Sequence, residues 1–138
     1  MSFLAQSNDK KRPEFRNIHV TQIVRYRMPP SALVSIMHRV SGALLFLALP
    51  LLLWLFDLSL TSETAYERMA GVAAHPLSKL VLLVLIWALV HHLVAGVRFL
   101  LLDLHTPDLR RASSSALAVF AVSLPATLIA ALFLFGVF

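Results

Sequence analysis

The residues most able to do chemistry in this sequence are polar side chains that interrupt long apolar stretches. In the first such stretch the polar positions follow the spacing i, i+3, i+4 and i+7: Ser35, His38, Arg39 and Gly42. That spacing predicts a single stripe on one face of a helix. Ionisable groups inside an apolar helix are costly, and they usually face the interior of a helix bundle or a cofactor.

The second stretch carries the adjacent histidines His91 and His92, with Gly96 and Arg98 after them. No carboxylate lies near His92 in its own stretch, and neutral imidazole is the commonest protein ligand for metals, haem iron among them. Gly96 lies one turn from His92 on the same face, where it leaves room for a flat ring or a neighbouring backbone. Arg98 lies roughly 9 Å from His92 along the helix, at about 1.5 Å per residue. Together with Arg39 it is placed to pair with haem propionates.

The spacing leaves simpler interpretations open. His92 is either a metal ligand or a structural histidine that bonds to another helix, and His91 competes with it because His91 shares a face with Arg98 at i+7. In the first stretch, Arg39 and His38 alternatively extend only to lipid headgroups. Gly42 then merely permits close packing of two helices.

The helices that must position these groups follow from the distribution of charge. Of the 138 residues, 59% are hydrophobic and 14% charged, whereas soluble domains average about 45–50% and about 25%. Charged residues are absent from 40–56, 80–97 and 112–138, and about 20 apolar residues suffice to cross a bilayer. The sequence therefore predicts an all-α integral membrane protein with spans at about 31–57, 77–104 and 114–137.

Basic residues predict the orientation of these spans. Residues 1–30 form a basic N-terminal segment with six Lys and Arg, and residues 31–138 form the anchor domain. The connection between the first two spans holds only Arg68 and Lys79, so the positive-inside rule places the N-terminus in the cytoplasm. The net charge of +5 is then explained by topology and anionic lipid, and no nucleic-acid partner is expected. Asp9 and Glu14 count against a transit peptide.

The sequence contains no cysteine. This excludes a disulfide, a thiolate metal site, an iron–sulfur cluster and a thioether-attached haem within the chain. The sequence also lacks a glycine-rich phosphate loop, a Ser/His/Asp arrangement and a pair of acids poised for hydrolysis. We therefore assign no catalytic residue, and any redox centre that requires cysteine belongs to a partner.

Two sequence blocks carry a resemblance to a known family. They are SIMHRVSG at 35–42 and HLVAGVR at 92–98, with Asp103 beyond and an Arg-Pro pair upstream at 12–13. The chain resembles the cytochrome b membrane-anchor subunit of succinate dehydrogenase (respiratory complex II) from about residue 12 to the third span. The first block is quite specific and the second only moderately so.

The resemblance implies a role for each matching residue. His92 is expected to be the axial ligand of one haem b, shared with a second anchor subunit that supplies the other ligand. His38, Arg39 and Arg98 are expected on the propionate side, and Ser35 with Arg39 at the quinone. The family often has a histidine at the position of Phe99 and another residue at the position of His91.

The resemblance also implies a function. The chain is expected to be a non-flavin subunit of succinate:quinone oxidoreductase in a bacterial inner membrane, inactive alone, within a heterodimeric haem-binding helix bundle. Its expected partners are the second anchor, an iron–sulfur subunit, a flavoprotein, quinone and the lipid bilayer. Alternatives are the anchor of a quinol:fumarate reductase, a cofactor-free structural anchor and a small transporter. The transporter is disfavoured because Asp57 and Asp103 lie only at span edges.

Overall fold

The computed structural model describes residues 19–104 and 112–136. These residues form five helices: α1 (Val20–Arg25), α2 (Pro30–Thr61), α3 (Glu63–Ala74), α4 (Pro76–Asp103) and α5 (Ala112–Leu134). No strand occurs in the two described ranges, which confirms the predicted all-α class. The Arg-Pro pair at 12–13 and the basic residues at 10–16 and 110–111 lie outside the described residues.

Three helical segments are long and apolar enough to cross a membrane: Pro30–Thr61, Pro76–Asp103 and Ser113–Leu134. They coincide with the three predicted spans, although the first continues to Thr61 where the prediction ended at 57. At about 1.5 Å per residue, α2 is about 48 Å long, whereas the hydrocarbon core of a bilayer is about 30 Å thick. Part of α2 therefore extends beyond the hydrocarbon core.

The starts of the two histidine-bearing helices are determined by proline. Pro30 and Pro76 occupy the first turns of α2 and α4, where the missing N–H is no loss and the fixed φ favours a helix. The His75 side chain caps α4 by accepting a hydrogen bond from the Leu77 backbone N–H at 3.2 Å. These local signals determine where each helix begins, and so how far along it each polar residue lies.

Two helices were not predicted from the sequence, α1 and α3. Helix α3 occupies the connection between the first two spans, and Ser62 caps it by accepting from the Ala65 N–H at 3.2 Å. Glu63 adds an acidic residue in the first turn, where the helix dipole favours negative charge. A serine cap followed by an acid is the sequence signal that identifies this helix.

Helix α4 lies between α2 and α5 and packs against both. The buried core at their meeting point consists of small or β-branched residues: Val34, Ala95, Ala116 and Val119. Small residues let membrane helices approach closely, because lipid offers no hydrophobic driving force between them. Large apolar side chains instead point outward, as Phe46 (75% exposed) and Leu47 (73% exposed) illustrate.

Candidate functional site

The contact between α2 and α4 is centred on two stacked imidazole rings. His38 and His92 have ring centroids 4.2 Å apart and ring planes inclined by only 8°. Phe99 meets the His38 ring edge-on at 5.2 Å between centroids. The structure thus brings together two of the predicted site residues from different helices.

A glycine of the opposite helix lies against each of these histidines. A Cβ added at Gly42 of α2 would lie 2.8 Å from Cε1 of His92, and one added at Gly96 of α4 would lie 3.4 Å from Nε2 of His38. The reciprocal arrangement shows that α2 and α4 run antiparallel. The space at Gly96 was predicted to receive a flat ring or a backbone, and the side chain of His38 lies there.

Hydrogen bonding determines which nitrogen of His92 carries the proton. Its Nδ1 lies 3.0 Å from the backbone carbonyl oxygen of His38. A carbonyl oxygen only accepts, so Nδ1 must be the protonated nitrogen. In the neutral form of the ring Nε2 is then the nitrogen with the lone pair, and this side chain is only partly buried. The geometry therefore directs Nδ1 into the α2–α4 contact and leaves Nε2 as the nitrogen that could bind a ligand.

His91 lies on the other side of α4 in a closed environment. Its side chain is fully buried, with Nδ1 3.4 Å from Oγ of Ser123 on α5. The aromatic rings of Trp87 and Phe120 lie 5.2 Å and 5.5 Å from its ring centroid. Its Nε2 is buried and has no hydrogen-bond partner among the described residues. His91 therefore has no open side at which a ligand of the size of haem fits.

Arg98 shares the α5-facing side of α4 with His91, as the i+7 spacing predicted. Its Nε donates a hydrogen bond to Oγ of Ser115 at 3.1 Å, and the side chain is only 6% exposed. The structure therefore places Arg98 against α5 rather than in the His38–His92 contact. Its assignment to the propionate side stays a prediction.

The other two predicted site residues lie on α2 beside the stacked pair. Ser35 is partly exposed and Arg39 is exposed, whereas His38 and Gly42 of the same stripe contact α4. The four residues of the stripe therefore lie in two different environments. One part packs within this chain, and the other is accessible to groups from outside it.

Sequence reasoning did not predict the bonds that three serines make to these residues. Ser41 lies between His38 and His92, while Ser115 and Ser123 of α5 bond to Arg98 and His91. The available signal was spacing: Ser41 follows His38 at i+3, and the two α5 serines lie eight residues apart in an apolar helix. Polar residues facing one another across membrane helices commonly form hydrogen bonds.

Comparison with known proteins gives consistent matches. Residues 9–130 match the family model described as succinate dehydrogenase/fumarate reductase transmembrane subunit. The succinate dehydrogenase cytochrome b556 subunit of Coxiella burnetii is 33% identical over 110 residues, covering 78% of this chain and 88% of the relative. The subunit of the same name from Paracoccus denitrificans is 31% identical over 121 residues, covering 87% of this chain and 89% of the relative.

These matches confirm the resemblance that the two sequence blocks indicated. The family match covers both blocks, the first two apolar helices and the third as far as residue 130, and together with those helices it establishes a multi-pass membrane protein. The chain therefore belongs to the transmembrane subunits of succinate dehydrogenase and fumarate reductase, as a cytochrome b membrane anchor of the succinate dehydrogenase type.

Proposed function

We propose that this chain binds one haem b through Nε2 of His92, as the membrane anchor of a succinate:quinone oxidoreductase. The observation that carries the proposal is the hydrogen bond from His92 Nδ1 to the His38 carbonyl at 3.0 Å. Histidines that ligate metals almost always donate their other N–H to such an acceptor, which fixes the tautomer and orients the ring. The buried position of His91 favours His92 over its neighbour.

The stacked geometry also supports a shared haem. Two rings lying parallel at 4.2 Å face each other through their π surfaces, so they cannot approach one iron from opposite sides. Among the described residues, no three His, Cys, Asp or Glu side chains gather into a metal site. His92 would hold a haem from this chain's side. A further ligand would then come from the second anchor subunit.

Haem supplies a one-electron redox centre when it is bound. The residues of this chain would orient it: His92 would hold the iron through Nε2, and the His38 ring lies stacked on the His92 imidazole. Arg39 is exposed on the same helix, and its guanidinium can form charge-assisted hydrogen bonds with propionates. The buried Arg98 lies on the α5 side, and reorientation is required before it can do the same.

We further propose that Ser35 and Arg39 form one wall of a quinone-reduction site. They lie one turn apart on α2 with their side chains partly or fully exposed. A serine hydroxyl can donate a hydrogen bond to a quinone carbonyl, and a guanidinium stabilises negative charge that develops there on reduction. Electrons reach the quinone from the iron–sulfur subunit, which receives them from the flavoprotein.

We propose that this site lies at the cytoplasmic side of a bacterial inner membrane, and the charge distribution supports this orientation. Basic residues accumulate before α2 and between α4 and α5, whereas the connection from Asp57 to Lys79 carries three acids and two bases. By the positive-inside rule the N-terminus is cytoplasmic. The iron–sulfur and flavoprotein subunits therefore dock on the side where Ser35 and Arg39 lie.

The haem assignment is tested by a reduced-minus-oxidised spectrum of the purified complex. His92→Leu should abolish or shift the b-type absorbance, while His91→Leu should retain it because His91 faces the closed side. The reverse result would move the ligand to His91. A wild-type complex without b-type absorbance would leave a cofactor-free structural anchor in its place.

The quinone assignment is tested by quinone reductase activity with succinate as donor. Removing one preorganised donor at a site of developing charge typically lowers kcat by about 10²–10³-fold, so Ser35→Ala and Arg39→Leu should both lower turnover and weaken inhibitor binding. Matched controls lie at the other end of the bundle, where Ser59→Ala and Arg68→Leu should leave turnover unchanged. Wild-type turnover and inhibitor affinity in both test variants would refute the site.

A further inference from the structure

Ser41 is a fully buried hydroxyl in the contact between α2 and α4, and the haem and quinone proposals above leave it without a role. Its exposure is 0%. Its Oγ lies 3.0 Å from the carbonyl oxygen of His38 and 3.4 Å from Nδ1 of His92. The same carbonyl lies 3.0 Å from that Nδ1. Ser41, the His38 carbonyl and His92 therefore form a closed triangle of polar atoms.

The direction of each hydrogen bond in this triangle follows from the chemistry of the three groups. The carbonyl can only accept, so the Ser41 hydroxyl donates its single hydrogen to it. The oxygen lone pairs of Ser41 then face Nδ1 of His92. The Nδ1–H consequently meets two acceptors, the carbonyl at 3.0 Å and the hydroxyl at 3.4 Å.

We propose that Ser41 is a positioning residue that holds the His92 ring in the plane and tautomer in which Nε2 binds haem iron. The inference rests on the ligation by His92 proposed above. Groups that accept from the outer N–H of a metal-bound imidazole orient the ring and tune the metal, and their loss commonly costs 10–100-fold in metal affinity or activity. Ser41 supplies the side-chain part of that arrangement, and the His38 carbonyl supplies the backbone part.

Close contact of the His92 ring with α2 and with His38 explains why this triangle controls the ring plane. A Cβ at Gly42 would lie 2.8 Å from Cε1 of His92, so the imidazole edge rests directly on the backbone of α2. The His38 ring covers one face of the imidazole at 4.2 Å. Rotation of the His92 ring about its own axis is opposed at Nδ1 by Ser41 and the carbonyl.

The chain contains a matched control on the opposite side of α4. Ser123 is also fully buried, and its Oγ lies 3.4 Å from Nδ1 of His91. Replacing either serine by alanine removes one buried hydroxyl at the same distance from a histidine of α4. Only Ser41 contacts the histidine proposed to bind haem.

The experiment compares Ser41→Ala and Ser123→Ala in the assembled, haem-containing complex. The readouts are the electron paramagnetic resonance g values of the oxidised haem, which depend on the planes of the axial rings, and its midpoint potential. We expect Ser41→Ala to change both, and Ser123→Ala to match the wild type. Ser41→Cys, which keeps the volume but hydrogen-bonds weakly, should shift the same readouts and serves if the alanine variant fails to assemble.

Each outcome is decisive. Unchanged g values and potential in both Ser41 variants would overturn the role of Ser41 while leaving ligation by His92 intact. Equal shifts in Ser41→Ala and Ser123→Ala would also overturn it, since a general packing effect would then explain both. Retention of the b-type spectrum in His92→Leu would instead refute the haem proposal itself, and the inference with it.

Discussion

The two faces of α4 differ sharply although the same kinds of side chain line both. On the α2 side, His92 stacks on His38 and remains partly open. On the α5 side, His91 is fully enclosed and Arg98 is 6% exposed. Both histidines have Nδ1 near a serine hydroxyl at 3.4 Å. The serine contact therefore does not distinguish the two faces, whereas the carbonyl bond of His92 and accessibility do.

This difference follows from the fact that His91 and His92 are consecutive residues of one helix. At about 3.6 residues per turn, consecutive side chains point about 100° apart. One histidine consequently faces the narrow glycine-lined contact with α2, and the other faces the polar contact with α5. We call the side of α4 with His91 and Arg98 the closed face, because it packs against α5. We call the side with His92 the open face, because its imidazole is accessible to a group from outside the chain.

The largest effect on haem binding is expected from adding a side chain at Gly42, where α2 contacts His92. Gly42→Ala places a Cβ 2.8 Å from Cε1 of His92, so the ring or the helix must shift. We expect haem retention to fall by about 10–100-fold, the range found when the supports of a metal ligand are lost. Haem titration against the purified complex, followed by b-type absorbance, measures the change.

Two other glycines provide graded controls for this prediction. A Cβ at Gly96 meets Nε2 of His38 at 3.4 Å, and a Cβ at Gly71 meets nothing within 4 Å. Gly96→Ala should therefore weaken haem binding less than Gly42→Ala, and Gly71→Ala should not weaken it. An equal loss in all three variants would show that contact with His92 does not determine the effect.

The sequence predicted the spans and the polar stripe because both depend on short-range patterns. Three charge-free stretches matched α2, α4 and α5, and the helical spacing correctly grouped His38 with Gly42 and His91 with Arg98. It did not predict α3, whose signal is a serine cap in a short polar connection.

The pairing of histidines with glycines across helices could not be predicted from the sequence, for a physical reason. Periodicity shows which residues share a face, but it does not show which helix that face meets. Gly96 follows His92 by one turn on the same face of α4, yet the ring that contacts Gly96 belongs to His38. The ring of His92 instead contacts Gly42 of α2. The choice between His91 and His92 has the same cause, since only the packing of α4 between its neighbours distinguishes them.

A smaller effect, on stability, is expected from removing the hydrogen bond that Arg98 makes to α5. Arg98→Leu removes the hydrogen bond to Ser115, and such bonds between membrane helices contribute on average about 0.6 kcal/mol and at most about 1.7 kcal/mol. We expect a lower thermal unfolding temperature with an unchanged b-type spectrum. Ser115→Ala is the matched variant, because it removes the same bond from the other side.

The Arg98 variants also test the sequence-based assignment of this residue. If Arg98 reaches a propionate in the assembled complex, Arg98→Leu will shift the haem potential while Ser115→Ala will not. If both variants change only the unfolding temperature, Arg98 is a structural residue of the α4–α5 contact.

The smallest effect is expected from replacing His91 with an apolar ring. Nε2 of His91 is buried without a partner among the described residues, and leaving a buried polar atom unpaired costs about 1–3 kcal/mol. His91→Phe removes that cost along with the contact to Ser123, and it keeps an aromatic ring between Trp87 and Phe120. The two changes oppose each other, so we expect the free energy of unfolding to change by less than about 1 kcal/mol.

The same replacement at the neighbouring position sharpens the contrast, because His92→Phe should eliminate the b-type spectrum while His91→Phe preserves it. Chemical denaturation of the complex in detergent, followed together with haem absorbance, measures both quantities in one titration. Destabilisation of more than about 2 kcal/mol in His91→Phe would contradict the expectation that Nε2 is unpaired in the assembled protein, because removing an unpaired buried atom relieves a cost. The closed face would in that case also depend on a group from outside this chain, and accessibility would no longer separate the two histidines.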